Sequence, residues 1–280
     1  MGGCTVKKAM GILLILFVFV LAACDDSEKT ATNHESDTVA EQHESKEKEK
    51  TPEAEENEES AKESEESSES IEAAYKITEN WSIVPIDDAN EEVVLITIDD
   101  APDEHALEMA KTLQDLDVNA IFFVNGHFLE TDEEKEDLKE IHEMGFLIGN
   151  HTYSHPFLPD LPEEEQKEEI IKVNAMVEEI IGERPKFFRA PNGANTDYTE
   201  QLVEEEDMTL MNWSYGYDWE PEYQSKEAIT DIMLNTELLD DGANLLMHDR
   251  EWTAEALYDI VTGLQEKGYE MVDPKLIQTK

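Results

Sequence analysis

Between residues 93 and 272, seven short apolar runs alternate with six amphipathic stretches, and this order constrains the fold more than any single residue does. The runs are 93 to 98, 119 to 125, 146 to 149, 186 to 189, 208 to 213, 244 to 247 and 269 to 272. Their length and their β-branched and aromatic content fit buried strands. Helical patterns fall near 103 to 116, 132 to 144, 163 to 181, 197 to 206, 225 to 239 and 252 to 266. In the clearest of them Ile170, Val173, Val177 and Ile180 share one face, with Pro162 at its opening and Gly182 at its close. Strict alternation of strand and helix predicts an α/β fold with a parallel sheet and crossover helices. Seven such units predict a closed or nearly closed barrel, with an open doubly wound sheet as the alternative.

The first run, Val93 to Ile98, ends in two adjacent carboxylates, Asp99 and Asp100. Like charges at the end of a buried strand stay ionised only if a cation, a donor or water compensates them. A solvated turn with Asp capping the next helix would explain the pair equally well. The other polar residues fall at comparable places. Asn150, His151 and His155 follow the third run, and Arg189, Pro191, Asn192 and Gly193 follow the fourth. Asp218 and Trp219 come after the fifth, His248 and Asp249 after the sixth. In a parallel barrel all strand C-termini open on one face, so these residues are predicted to converge there. His151 and His155 stand four apart, close enough to share one ion, and two His with one carboxylate form a known catalytic zinc set. The pair alone is a weak signal. His105, His127 and His142 lack such company and read as surface or helix-face residues.

Upstream of the alternation the chain is different. Lys7 and Lys8 precede an apolar run from about Met10 to Ala23, too short for a spanning helix and suited to a secretory signal. It ends in Leu21-Ala22-Ala23-Cys24, which resembles the lipobox of bacterial lipoproteins. That likeness implies cleavage before Cys24, lipidation of its thiol, and a place on the outer face of the bacterial membrane. Residues 24 to 73 are rich in Glu, Ser, Lys and Thr and cannot bury enough surface to order themselves, so they read as a disordered acidic tether. The expected domains are therefore a signal peptide over 1–23, a tether over 24–73 and a folded domain over 74–280. With 69 acidic against 21 basic residues and a formal charge of -48, binding to nucleic acid is excluded. The two cysteines, Cys4 and Cys24, offer the body no disulfide framework.

Five ordered motifs carry a family resemblance. Thr97-Ile98-Asp99-Asp100-Ala101-Pro102, His151 to His155, Arg189-Ala190-Pro191-Asn192-Gly193, Asp218-Trp219 and Leu246-Met247-His248 resemble those of the polysaccharide deacetylases, carbohydrate esterase family four. The resemblance spans about residues 90 to 272 and implies a distorted (β/α) barrel with about seven parallel strands. It implies removal of acetyl groups from N-acetylated glycans, or O-acetyl groups from xylan, with a divalent metal. Zinc is the expected ion, with cobalt or nickel as possibilities. By the resemblance Asp100, His151 and His155 hold the metal. Asp99 is the general base, Arg189 orients it, and His248 is the general acid for the leaving amine. The backbone N–H of Asn192 serves the oxyanion, and Pro191, Asp218, Trp219 and Leu246 contact substrate. The expected partner is a cell-surface polysaccharide such as peptidoglycan, and the expected state is a monomer.

Three positions depart from the family pattern. Ala101 stands where Gly is usual, a strained choice if that site needs positive φ. Asn192 replaces an aromatic residue, and Tyr215 replaces an Asp, which makes Asp218 a candidate for a structural part. Two competing functions are a glycan-binding lipoprotein that has lost catalysis and an O-acetyl esterase. A binder would need neither Asp99 nor His248.

Overall fold

The computed structural model describes residues 72–280, so the leader, Cys24 and nearly all of the tether lie outside the described residues. The elements run β1 (Tyr75–Ile77), β2 (Ile83–Pro85), β3 (Val93–Ala101), α1 (Ala106–Asp115), β4 (Ile121–Val124), α2 (Asp132–Glu143) and β5 (Leu147–Asn150). They continue as α3 (Glu163–Ile181), β6 (Phe187–Phe188), α4 (Asp197–Glu205), β7 (Thr209–Leu210), α5 (Lys226–Asn235), β8 (Ala243–His248), α6 (Glu251–Glu266) and β9 (Glu270–Met271). Every strand from β3 onward and all six α-helices fall where the alternation placed them. Helix α3 starts after Pro162 and ends at Gly182, whose φ of 82° is the left-handed C-cap that glycine accepts without strain.

β3 to β9 form one parallel sheet in the order β7-β6-β5-β4-β3-β8, with β9 against the start of β3. The helices neighbour one another in the matching order, α4-α3-α2-α1-α6-α5, and so cover the outer face. The sheet curls until its two edges meet through a bridge, Tyr215 to Leu245, with the Leu246 N–H donating to the Tyr215 carbonyl at 2.8 Å. Of the two predicted architectures, the nearly closed barrel is the one observed. The Tyr215 hydroxyl is buried and donates to the Met233 carbonyl at 2.9 Å. Position 215 therefore closes the sheet and is not a site residue.

Alternation along β3 sorts its side chains. Val94, Ile96 and Ile98 pack outward with Met109, Leu113, Leu257 and Ile260 of the helices. Val93 and Leu95 face the barrel interior with Ile121, Phe123 and Phe187. Burying each such aliphatic side chain contributes about 1.5–3 kcal/mol. The interior is sealed at the strand N-termini by β1 and β2, an antiparallel pair that the alternation did not predict. Tyr75 bridges to Ile277, and the Ile83 N–H donates to the Gly242 carbonyl at 2.8 Å. A Cβ on Gly242 would lie 2.1 Å from the Ile83 carbonyl oxygen, so only glycine lets this plug seat. Among the described residues, no helix is long and apolar enough to cross a membrane.

Candidate active site

The inward line of β3 continues past Val93 and Leu95 through Thr97 to Asp99, which reaches the open mouth of the barrel. Strict alternation would turn Asp100 outward toward the helices. It does not, because the ladder with β4 slips here: Ile98 pairs with Phe122, but Ala101 pairs with Val124. Two residues therefore oppose Phe123 alone, a β-bulge. Asp100 takes up the extra residue with φ 61° and swings back to the mouth. The positive φ lies at Asp100, and Ala101 is a fully buried core residue outside the left-handed region, so the strain expected of Ala101 is corrected to its neighbour.

Asp100, His151 and His155 each offer one ligand atom, and these atoms all lie within 4.8 Å of one another. Asp100 Oδ1 is 3.8 Å from His151 Nε2 and 3.7 Å from His155 Nε2. His151 follows β5 directly. Its Nδ1 lies 2.7 Å from the Arg189 carbonyl, which can only accept, so the proton sits on Nδ1 and the Nε2 lone pair faces the site. Burial pushes His151 below its ordinary imidazole value despite Asp99 and Asp100 nearby, which favours the neutral ligand form. Burial alone would raise Asp100, but His151, His248, His155 and Arg250 outweigh it and hold the carboxyl below its ordinary value. A neutral imidazole beside an ionised carboxylate is the donor set that zinc accepts, so the residues present fit such an ion.

The loop from His151 to His155 is pinned from several sides. Asn150 accepts from the Thr152 N–H at 2.8 Å and donates to the Ile170 carbonyl at 2.8 Å. Ser154 gives both its N–H and its hydroxyl to Glu169, each at 2.7 Å. Thr152 (φ 69°) and His155 (φ 55°) are left-handed, as is Asn192 (φ 56°). With Asp100, four residues at this mouth hold a conformation that L side chains disfavour, a concentration typical of functional sites.

Asp99 is bound from behind. Arg189 Nη1 donates to Asp99 Oδ1 at 2.7 Å and to Thr97 Oγ1 at 2.8 Å. Its Nε and Nη2 go to the Met211 and Asn212 carbonyls at 3.1 and 2.9 Å. The guanidinium lies 4.3 Å from the Phe123 ring centre, and that ring fits because Gly149 has no Cβ to strike it. Asp99 Oδ2 is left 3.5 Å from His151 Nε2.

On the neighbouring strand β8, in register with Asp99, stands His248. Its Nδ1 lies 2.7 Å from Asp218 Oδ1, and its own N–H donates to Asp218 Oδ2 at 2.6 Å. Thr253 Oγ1 donates to the same Oδ2 at 2.9 Å. A carboxylate can only accept, so Nδ1 carries a proton and Nε2 is the atom left for a substrate. Burial would lower this imidazole, yet Asp218, then Asp99 and Asp100, raise it above its ordinary value.

Asp99, Asp100, His151, His155, Asp218 and His248 line a cavity of about 520 Å³ at the strand C-termini, together with Asn192, Trp213, Trp219, Leu246, Arg250 and Trp252. Pro191 is buried and does not line the cavity; it opens the short turn that carries Asn192. Asp218 lines the cavity but is 1% exposed, with its carboxylate bonded to His248 and Thr253. Trp219 is 44% exposed and lies edge-on to His248. Sequence reasoning missed Trp213, Trp252 and Arg250. Trp213 was assigned to a strand, but the ladder ends at Leu210 and the chain then leaves it. Position after a strand end was the signal that could have found all three.

Comparison with known proteins agrees with this fold. A family model described as polysaccharide deacetylase matches residues 86–211. A peptidoglycan-N-acetylglucosamine deacetylase of Bacillus cereus is 31% identical over 198 residues, covering 68% of this chain and 70% of that protein. The chain belongs to the polysaccharide deacetylase family. The uncharacterized protein YlxY of Bacillus subtilis is also 31% identical, and there the chain spans only 51% of the relative's length. Among solved structures, the peptidoglycan deacetylase PdaC of Bacillus subtilis aligns with a TM-score of 0.58 at 30% identity, covering 65% of this chain and 88% of that one. A CE4 family pseudoenzyme from Bacillus anthracis aligns with a TM-score of 0.59 at 28% identity, covering 65% and 63% of the two chains. The deacetylase family thus contains active and inactive members, and the residues of the site must decide between them.

Proposed function

We propose that this protein is a metal-dependent hydrolase that removes N-acetyl groups from a cell-surface glycan, with peptidoglycan the first candidate and chitin-type oligomers or an exopolysaccharide next. The observation that carries this reading is that Asp99 and His248, paired on the neighbouring strands β3 and β8, both line the mouth that holds the ligand trio, each with its own buried orienting partner. A glycan binder without catalysis would need neither. The relatives support the substrate class, since two of them are named for peptidoglycan deacetylation.

When bound at Asp100, His151 and His155, a divalent ion would supply Lewis acidity and bring the acidity of water toward neutral pH. Asp99 is placed to take the proton of the attacking water, with Arg189 fixing the carboxylate so that Oδ2 faces the site. His248 is placed to give the Nε2 proton to the departing amine, which cannot leave as an anion. The backbone N–H of Asn192 is the nearby donor for the tetrahedral oxygen. Leu246 offers an apolar contact for the acetyl methyl, and Trp213, Trp219 and Trp252 offer faces on which a pyranose can stack. Export and a lipid anchor at Cys24 would put this site beside the cell wall, with the protein acting as a monomer.

The test is acetate release from peptidoglycan and chitin oligomers, with and without chelator. Release that stops with chelator and returns with zinc supports the reading. Ion-loaded protein that releases no acetate from any acetylated glycan would leave only the binder.

A further inference from the structure

Arg250 sits where helix physics disfavours it. It is the N-cap of α6, makes no side-chain cap bond, and places a cation at the positive end of the helix dipole. What holds the side chain is the end of β3, the loop that follows it and the neighbouring Asp249 carbonyl. Its Nη2 donates to Asp100 Oδ2 at 2.7 Å, and its Nη1 donates to the Asp249 carbonyl at 2.6 Å and lies 3.8 Å from Asp103 Oδ2. The same two loops are joined a second time. The buried Asp249 carboxylate accepts the N–H groups of Asp103, His105 and Ala106 at 2.7, 2.6 and 3.0 Å. The guanidinium is therefore held in place on both sides of the carboxylate it meets.

The two oxygens of Asp100 are consequently unequal. Oδ1 faces His151 and His155 at 3.8 and 3.7 Å, whereas Oδ2 is capped by Arg250. We propose that Arg250 is a positioning residue of the ion site, which takes Oδ2 out of use so that Asp100 presents Oδ1 alone to a divalent ion. The inference rests on the reading that Asp100, His151 and His155 hold that ion. Partners behind a ligating carboxylate fix its orientation before the ion arrives, and their loss typically costs about 10–100-fold in affinity. The rival role is a surface tie between two loops, which would matter for folding and not for the ion.

Zinc affinity separates the two. The full chain, stripped of metal, is titrated with zinc against a chromophoric chelator, for the wild type and for R250Q and R250K, and each ion-free protein is melted in parallel. R250Q is expected to bind zinc about 10–100-fold more weakly than the wild type. R250K keeps the charge without the planar fork and is expected to lose affinity by less. Wild-type affinity in R250Q, whatever its melting temperature, would reduce Arg250 to a loop tie; if R250Q does not fold, wild-type affinity in R250K would do the same. A wild-type protein that binds no zinc overturns the ion site itself, which is a different failure from equal binding by wild type and variants.

Discussion

The two charged pairs of the cavity solve one problem in opposite ways. In the pair drawn from β3 and the end of β6, a carboxylate faces the site and a cation stands behind it: Asp99 with Arg189, 2.7 Å apart. In the pair drawn from β8 and the segment after β7, an imidazole faces the site and a carboxylate stands behind it: His248 with Asp218, also 2.7 Å apart. The first pair is sealed, with side chains 2% and 0% exposed, while His248 is 17% exposed. In the proposed roles, a base in a dry place needs its counter-charge at contact range, whereas an acid needs access and a partner that keeps the proton on until it is wanted.

Four substitutions break this opposition in order of severity. Asp99→Asn keeps the shape and removes the base. Turnover on an N-acetyl glycan is expected to fall by about 10³–10⁴-fold with zinc still bound, measured as acetate release beside zinc content; normal turnover would end the proposed mechanism. Arg189→Met strands a buried carboxylate, and chemical denaturation should show a loss of about 3–5 kcal/mol. His248→Ala is expected to cost about 10²–10³-fold on an amide. The loss should shrink on an activated acetyl ester, whose leaving group needs the acid less, whereas Asp99→Asn should cost the same on both.

Asp218→Asn has the smallest effect, about tenfold near neutral pH, and the most specific signature. His248 holds its proton more tightly in the folded protein than an ordinary imidazole does, Asp218 being the largest of the charges that offset burial. Activity that needs protonated His248 is lost as pH rises through that elevated value, so removing Asp218 should move the alkaline limb of the pH profile to lower pH. The same contact stabilises the fold fully below the unfolded value of about 6.5 and fades as pH rises through the folded one. An unmoved alkaline limb in Asp218→Asn would mean that the two pairs are not equivalent devices.

Much of this was legible in the residue order, for physical reasons. Runs such as Ala120 to Val124 are buried on both faces, so apolar content alone marks them. The β1–β2 plug was not legible, because three-residue strands such as Tyr75–Ile77 are too short to show a period and depend on contacts with Gly242 and Ile277. The candidate ligand trio was readable because His151 and His155 are close in the chain. Arg250 was not, because its meaning lies in Asp100, which is 150 positions away. The part played by Asp218 needed the same kind of information, since only the meeting with His248 and Thr253 turns a wall residue into an orienting one.

The slip in pairing between Ile98 and Ala101 makes the Asp99-Asp100 dipeptide behave unlike any regular strand dipeptide. In the proposed mechanism two consecutive codons specify two different tools, one to move a proton and one to grip an ion, and both side chains are delivered to the same mouth. Deleting Ala101 would let Asp99 oppose Phe123 and Asp100 oppose Val124 and so restore tidy pairing, yet it would send the two carboxylates to opposite sides of the sheet. On the proposed mechanism, a mutant better ordered than its parent would then be inert.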